Sequence, residues 1–431
     1  MRERFDVLVV GAGPAGLAAA VTAAECGQRV GLVDDNPAAG GQIWRGAIGK
    51  GGAALPGSAR RWMARLERSR VVRLQGWRVF DAARPLVLLA ERNAGGEVAE
   101  LHAEKLILAT GARERFLPFP GWTLPNVTGV GGLDALVRGG LPIAGKRVVV
   151  AGTGPLLLAV AAHLAERGAR IVAVCEQAPL GRLARFGLQM LSEPGKLWQG
   201  ARYRMSMRTP LLTGCCVKAA HGEERVRSVT LRQGTKHWEV GCDYLACGFH
   251  LVANTELAAL MGCRIEAGFV TTDEQMLTSV ENVFCAGEPT GIGGVELSQL
   301  EGQIAALAAC GRSDAARKRA ERRRPRLEFV RNLAAVCRLD QDLRNLATDE
   351  TIVCRCEDVR LGALRGHASW REAKLQTRCG MGPCQGRVCG PATEFLFGWR
   401  SDSVRPPVFP ARVGSLAAGC AENTTEAVTN S

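Results

Sequence analysis

The 431 residues carry 47% hydrophobic, 23% charged and only 5% aromatic side chains. That length suits two or three domains and that apolar share suits real cores, which excludes wholesale disorder. The formal charge is +13, yet only 8 of the 55 basic residues are Lys. An Arg bias of this kind follows genomic base composition and is weak ground for a nucleic-acid partner. Sixteen Cys in so long a chain do not make a small secreted disulfide scaffold. No membrane span is expected, because the longest apolar stretch, Val148 to Ala162, is broken by Gly152, Gly154 and Pro155. Glu3 and Asp6 spoil a signal-like basic start, so the chain reads as mature and cytoplasmic.

The chain opens on a buried-strand pattern, Phe5–Val10, followed at once by Gly11-Ala-Gly13-Pro14-Ala15-Gly16. A small-residue helix over Leu17–Ala24 and a second strand over Arg29–Val33 complete a strand–turn–helix–strand unit. Gly11 allows the tight turn, Gly13 lets backbone approach a pyrophosphate, and Gly16 lets helix and strand pack closely. The helix N-terminus offers N–H groups to phosphate. Asp34, 23 positions after Gly11, is placed to accept ribose hydroxyls.

Three later segments point by resemblance to FAD as the dinucleotide. Gly40-Gly41-Gln42 follows the second strand, KLILATG spans 105–111 with Thr110 and Gly111 at its end, and NVFCAGE spans 282–288. These resemble the flavin-contacting turn, the crossover strand and the ribityl-binding strand of the two-dinucleotide flavoproteins that include thioredoxin reductase. That family has Gly-Asp at the last position; here it is Gly287-Glu288. A helix over Val295–Ala309 then follows.

A second unit starts 141 residues after the first. The strand Lys146–Val150 leads into Gly152-Thr-Gly154-Pro-Leu-Leu157, and the next strand, Ile171–Val174, leads to Glu176. Leu157 stands where the fingerprint takes Gly or Ala, and should push helix and strand apart. Two readings stay open: a pocket for a second adenine nucleotide (NAD(H) or ATP/ADP) through Gly152, Gly154 and Glu176, or a vestigial domain kept for its fold or for docking. The resemblance implies a split FAD domain (1–117 and 246–311) with the second domain (118–245) inserted. The Cys-x-x-Cys that thioredoxin reductase carries there is missing, so disulfide reduction is not expected.

The basic stretch from Arg312 to Arg331 opens a linker expected over 312–350; it reads as a solvated helix or linker more than as a surface for nucleic acid or an acidic partner, because Phe329 is its single aromatic residue and bases would have no series to stack on. Beyond it, TIVCRCEDV (351–359) and TRCGMGPCQGRVCGP (377–391) place five Cys within 36 residues. Four thiolates are what a [2Fe–2S] centre needs. Zinc sites usually put two to four residues between paired ligands, more than Cys354-x-Cys356 does. The segment 351–397 resembles the small helical [2Fe–2S] domain of bacterioferritin-associated ferredoxin. By that resemblance Cys389, just before Gly-Pro and a closing helix, is the last ligand, and Cys384 its partner. The ligand set is then Cys354, Cys356, Cys384 and Cys389, with Cys379 the spare that could replace one of them. The residues from 398 onward are expected to be a mostly disordered tail.

Nearly the whole chain, through GGQIWR, ATGARER and CGMGPCQGR, is similar to the alpha subunits of multi-subunit flavin-dependent amino- and imino-acid dehydrogenases. Their members are hydroxyproline dehydrogenase, opine oxidase, dye-linked proline dehydrogenase and hydrogen cyanide synthase. The fold so implied is α/β, with two Rossmann-like domains and a small helical iron–sulfur domain. The resemblance implies FAD and [2Fe–2S] cofactors, a beta flavoprotein partner holding the substrate site, and a small ferredoxin-like subunit. D-hydroxyproline is the favoured substrate within the family. No catalytic residue is expected in this chain, since its six His are scattered and no acid–base set is apparent. The alternatives are a self-sufficient NADH-dependent reductase and a redox-sensing flavoprotein.

Overall fold

A computed structural model describes residues 1–44, 57–84, 86–189, 209–400 and 403–418. The chain divides into two units: Met1–Arg113 with Ala253–Glu328 and the segment from Ser403, and Glu114–Val252 with Phe329–Asp402.

The first unit is built on a seven-stranded sheet. Arg2–Val10 lies between two parallel neighbours, Val30–Asp34 and Val98–Leu108, in registers such as Val9 opposite Leu32 and Ile107. Val7, Leu8 and Val9 are all fully buried. Burial on both faces is what an uninterrupted apolar run in a parallel strand requires. Val72–Gln75 extends one side, and Val283–Cys285 pairs in parallel with Val98–Leu108 on the other. Strands Val87–Arg92 and Trp77–Arg84 continue it antiparallel. The helix Pro14–Glu25 is nearly all Ala, Gly and Val on its buried side. Such small side chains admit the second helix, Gly294–Ala309, so closely that a Cβ on Gly302 would stand 2.1 Å from the Ala15 carbonyl oxygen.

Part of the expected tail is ordered. Val408 and Ser415 are buried, the Val408 N–H donates to Phe80 O at 2.6 Å, and the Arg412 guanidinium reaches Asn93 O at 2.9 Å. Two buried side chains and an Arg that finds sheet-edge carbonyls were enough to seat a segment whose composition reads as loose. Residues 419–431 lie outside the described residues.

The second unit holds a five-stranded sheet in the order Leu211–Thr213, Arg170–Glu176, Arg147–Thr153, Tyr244–Phe249, Val127–Gly129, all parallel. A three-stranded antiparallel sheet over 215–241 accompanies it. The segment after Phe329 belongs to this unit and is not a free linker. Leu339, Leu343, Leu346 and Phe395 share one buried cluster with Leu117, Phe119, Trp122 and Phe249. A separate small core of Val353, Leu364, Trp370, Ala373 and three Cys supports residues 347–399. The division falls at 113/114 and 252/253, a few residues from the expected 117/118 and 245/246.

Candidate functional sites: a flavin cradle, a second glycine turn and a sulfur cluster

In the first unit the expected flavin motifs converge on the N-terminus of helix Pro14–Glu25. Pro14 opens the helix behind Gly13, leaving the Ala15 and Gly16 N–H groups for a phosphate. Gly16 cannot carry a side chain, since its Cβ would lie 1.7 Å from Gly11 O. The Gly40-Gly41 turn folds onto this loop through Gly40 N–H to Ala12 O at 2.8 Å, and Gln42 beyond it is exposed. Arg45, the end of GGQIWR, lies outside the described residues. Gly287 arrives beside Ala15, where its Cβ would be 2.8 Å from the Ala15 methyl.

Asp34 is buried and already engaged: its Oδ2 accepts from Ala12 N–H at 2.5 Å, and its Oδ1 from the Asn36 backbone and side-chain N–H groups at 2.7 Å each. It therefore braces the turn as well as standing at the ribose position. Thr110 and Gly111 are pinned by Asn254, which lies in none of the expected motifs. Thr110 Oγ1 donates to Asn254 O at 2.6 Å, and Asn254 N–H donates to Gly111 O at 2.9 Å.

Glu301, also unforeseen, is 1% exposed and accepts from Gly287 N–H, Thr290 Oγ1 and Arg323 Nε at 2.7–2.9 Å. It holds the Gly287-Glu288 corner in place. Glu288 itself has one oxygen bonded to Gly294 N–H at 3.0 Å, while Oε2 is buried without a partner among the described residues. Burial pushes its carboxyl up to about 7, and the neighbouring Glu301 charge adds to the shift. An orphaned buried oxygen beside a helix N-terminus built for phosphate fits a flavin dinucleotide, whose ribityl hydroxyls would satisfy it.

The second turn is built differently. Leu157 is buried and the helix Pro155–Glu166 forms intact. The Leu157 side chain sits over Gly248, where a Cβ would be 3.0 Å from its Cδ2. Glu176 is spent on backbone: it accepts from Gly154 N–H at 2.8 Å and Ala178 N–H at 2.9 Å. Chain from beyond residue 336 lies at Gly154, with Cys337 Sγ 3.8 Å from where a Cβ would stand.

The five clustered Cys are brought together. The sulfurs of Cys354, Cys379 and Cys389 lie within 4.8 Å of one another, and all three are buried. Cys384, half-buried, is hydrogen-bonded to Cys389 and to the exposed Cys356. Cys379, the spare by the family resemblance, is thus inside the sulfur group. Thiols of Cys379 and Cys389 aimed at Cys354 push its pKa far below the ordinary thiol range, and the Cys389 thiol brings that of Cys384 to about 5. Backbone N–H groups of Gly380 and Glu357 point at Cys354, and those of Val388 and Gly386 at Cys384. Gly382 is tight against the site, since its Cβ would be 2.3 Å from the Cys356 Cβ. Buried thiolates in an amide cradle suit an iron–sulfur cluster or zinc.

Five of the six His are held by local partners: His102 by Glu100, His163 by Asp134, His221 by Thr230, His250 by Cys337 O and His367 by Glu372. No helix among the described residues is long and apolar enough to cross a membrane.

A family model described as pyridine nucleotide-disulphide oxidoreductase matches residues 5–308. An opine oxidase subunit of Rhizobium meliloti (strain 1021) is 32% identical over 96% of this chain and 98% of its own. Hydrogen cyanide synthase subunit HcnB of Pseudomonas aeruginosa is 32% identical over 92% of each chain. In fold, L-proline dehydrogenase from P. horikoshii superposes with a TM-score of 0.67 at 18% identity, over 96% of this chain and 80% of that one.

Proposed function

Since the chain belongs to the pyridine nucleotide-disulphide oxidoreductase family and is an FAD-dependent oxidoreductase, we propose that it is the electron-carrying subunit of a heteromeric amino- or imino-acid dehydrogenase. The observation that carries this reading is the five-sulfur group of Cys354, Cys356, Cys379, Cys384 and Cys389 on a chain that also holds a complete flavin cradle. Relatives over nearly the full length are named as subunits of opine oxidase and hydrogen cyanide synthase. A flavin accepts a hydride and releases electrons singly, and an iron–sulfur cluster passes them on one at a time.

This chain's residues bind and orient. Gly13, Ala15 and Gly16 present backbone to the pyrophosphate, with Asp34 on the ribose side. Gly41, Gln42, Thr110 and Gly111 line the flavin's flank, and Glu288 meets its ribityl chain. Cys354, Cys356, Cys384 and Cys389 hold a [2Fe–2S] cluster, with Cys379 completing the sulfur shell. Cys356, the exposed member of the group, would be the ligand nearest solvent if a cluster is held there. Oxidation of the C–N bond takes place in a beta flavoprotein partner, and a small ferredoxin-like subunit completes the complex. D-hydroxyproline is the substrate we favour.

The test is an anaerobic assay of the purified chain, by itself and with its partner subunits, against D-hydroxyproline, proline and opines with an artificial dye. Turnover should need the partner. Substantial turnover by the isolated chain would place a substrate site in it and overturn the reading.

A further inference from the structure

The family and the repeated glycine fingerprint both imply a pyridine nucleotide at the second turn. The residues there do not fit one. A bound dinucleotide needs open backbone at the second glycine of the turn for its pyrophosphate, and an accessible acid at the end of the next strand for its ribose.

The chain's own residues lie against the second glycine, where Cys337 Sγ is 3.8 Å from the place of a Cβ, and over Gln177, the residue that follows the acid. The Cys337 carbonyl accepts from Thr153 Oγ1 at 3.5 Å and also bonds His250 Nε2. Gln177, immediately after the acid Glu176, clamps the next residues from both sides. Its Nε2 donates to Arg338 O at 2.9 Å, and its Oε1 accepts from Asp340 N–H at 3.0 Å. Arg182 Nη1 adds a bond to Arg338 O at 3.3 Å.

Below these polar ties the segment is anchored by burial. Val336, Cys337, Leu339, Leu343 and Leu346 are each 8% exposed or less, and the last three share the second unit's core. The helix Arg323–Val336 ends where the segment begins, and a short 3-10 turn over Gln341–Asn345 brings Leu343 and Leu346 into the same core as Leu339. A nucleotide entering this site would therefore have to displace a folded part of the core. In the first unit the equivalent ground is open: Asp35, the residue after Asp34, is exposed, whereas Gln177 is 6% exposed.

We infer that residues 336–346 occupy the second nucleotide site in place of a ligand, and that this chain therefore accepts no electrons from NADH or NADPH. Gln177 is the positioning residue of this plug, and Thr153, Arg182 and His250 are its auxiliaries. The inference stands on the second unit and is independent of the substrate proposed above.

The experiment uses the full chain with its flavin bound. NADH and NADPH are added anaerobically at saturating, millimolar concentration while flavin absorbance is followed, and hydrogen exchange is measured with and without NADH, NAD⁺ or ATP. The expected result is no bleaching, and unchanged exchange at 152–157 and 336–346. A Gln177→Ala variant should exchange roughly tenfold faster over 337–341, as the loss of one buried hydrogen-bonding clamp predicts, while its flavin content stays at the wild-type level. Flavin bleaching by NADH, or protection of 152–157 with loosening of 336–346 on adding any of the three nucleotides, overturns the inference. So does a Gln177→Ala chain whose exchange over 337–341 is unchanged, because the clamp would then hold nothing.

Discussion

The two glycine turns of this chain share spacing and diverge in what rests on them. In the first, Gly16 is so close to Gly11 that no side chain fits, and the nearby polar atoms include an unpartnered carboxylate oxygen on Glu288. In the second, the matching position is Leu157, lodged over Gly248, and the polar atoms around the turn are already paired with residues 337–340. One turn keeps unmet hydrogen-bonding capacity, which costs stability until a ligand meets it. The other has been closed by protein. Duplicated sequence therefore does not imply duplicated binding; what decides is whether the backbone and acid of the turn still face a space.

The sharpest way to break this comparison is to exchange the residues that differ. Gly16→Leu forces a side chain into a carbonyl 1.7 Å from its first carbon, and should abolish flavin binding and most of the yield of folded protein. Leu157→Ala leaves a cavity in a core position and should cost about 2–5 kcal/mol with flavin retained. The measurements are the flavin-to-protein ratio and the denaturation midpoint. Flavin loss in Leu157→Ala, or full flavin in Gly16→Leu, would dissolve the distinction.

The sulfur group gives an effect nearly as large, confined to the second unit. Ser in place of Cys354, Cys356, Cys384 or Cys389 offers a harder oxygen ligand, so iron and labile sulfide should fall to background or the cluster potential should shift. Cys379→Ser should keep the cluster, and flavin should survive all five changes. If Cys379→Ser removes the iron and Cys389→Ser does not, Cys379 is the fourth ligand. Zinc without iron in anaerobically prepared protein would remove the electron-transfer reading.

Much of this was legible in residue order. The run Phe5–Val10 before Gly11 could only be a buried strand feeding a tight turn, and the later Thr110-Gly111 and Gly287-Glu288 segments carry motif residues that mark them without any contact being known. Asn254 and Glu301 were not legible. Each lies outside the motifs, and Asn254 acts across 144 residues to reach Thr110. The plug was hidden in a different way. Its leucines follow an Arg-rich stretch whose net charge reads as a solvated linker, and the turn that buries them carries no regular apolar period to mark it. The family resemblance makes Cys379 the spare that could replace a ligand, and its sulfur lies within 4.8 Å of those of Cys354 and Cys389.

A smaller effect separates the two acids at the ends of the matching strands. Asp34→Ala removes bonds to Ala12 and Asn36 together with the ribose acceptor, so flavin affinity should fall by roughly 1.5–3 kcal/mol, which is about ten- to a hundredfold. Glu176→Ala releases Gly154 and Ala178 N–H groups and should lower stability, leaving flavin affinity unchanged. Equal flavin loss in the two variants would mean that both acids act only on the fold.

The smallest effect tests the orphaned carboxyl by pH. Glu288 is pushed up to about 7 by burial, from an ordinary value of 4.5. Between those values the folded, flavin-free chain keeps a proton that the unfolded chain has released. Stability from this group is therefore fully present below pH 4.5 and is lost as pH rises through about 7. Glu288→Gln holds a neutral amide at every pH and has no such slope. The difference in unfolding free energy between wild type and variant should move by about 2 kcal/mol in the variant's favour from about pH 5 to about pH 8, since each tenfold change in proton affinity corresponds to about 1.4 kcal/mol and the group is not wholly dry. Urea titrations of flavin-stripped protein at those two pH values measure it. A pH-independent difference would show that Glu288 ionises freely, and that its oxygen is solvated and not held for a ligand.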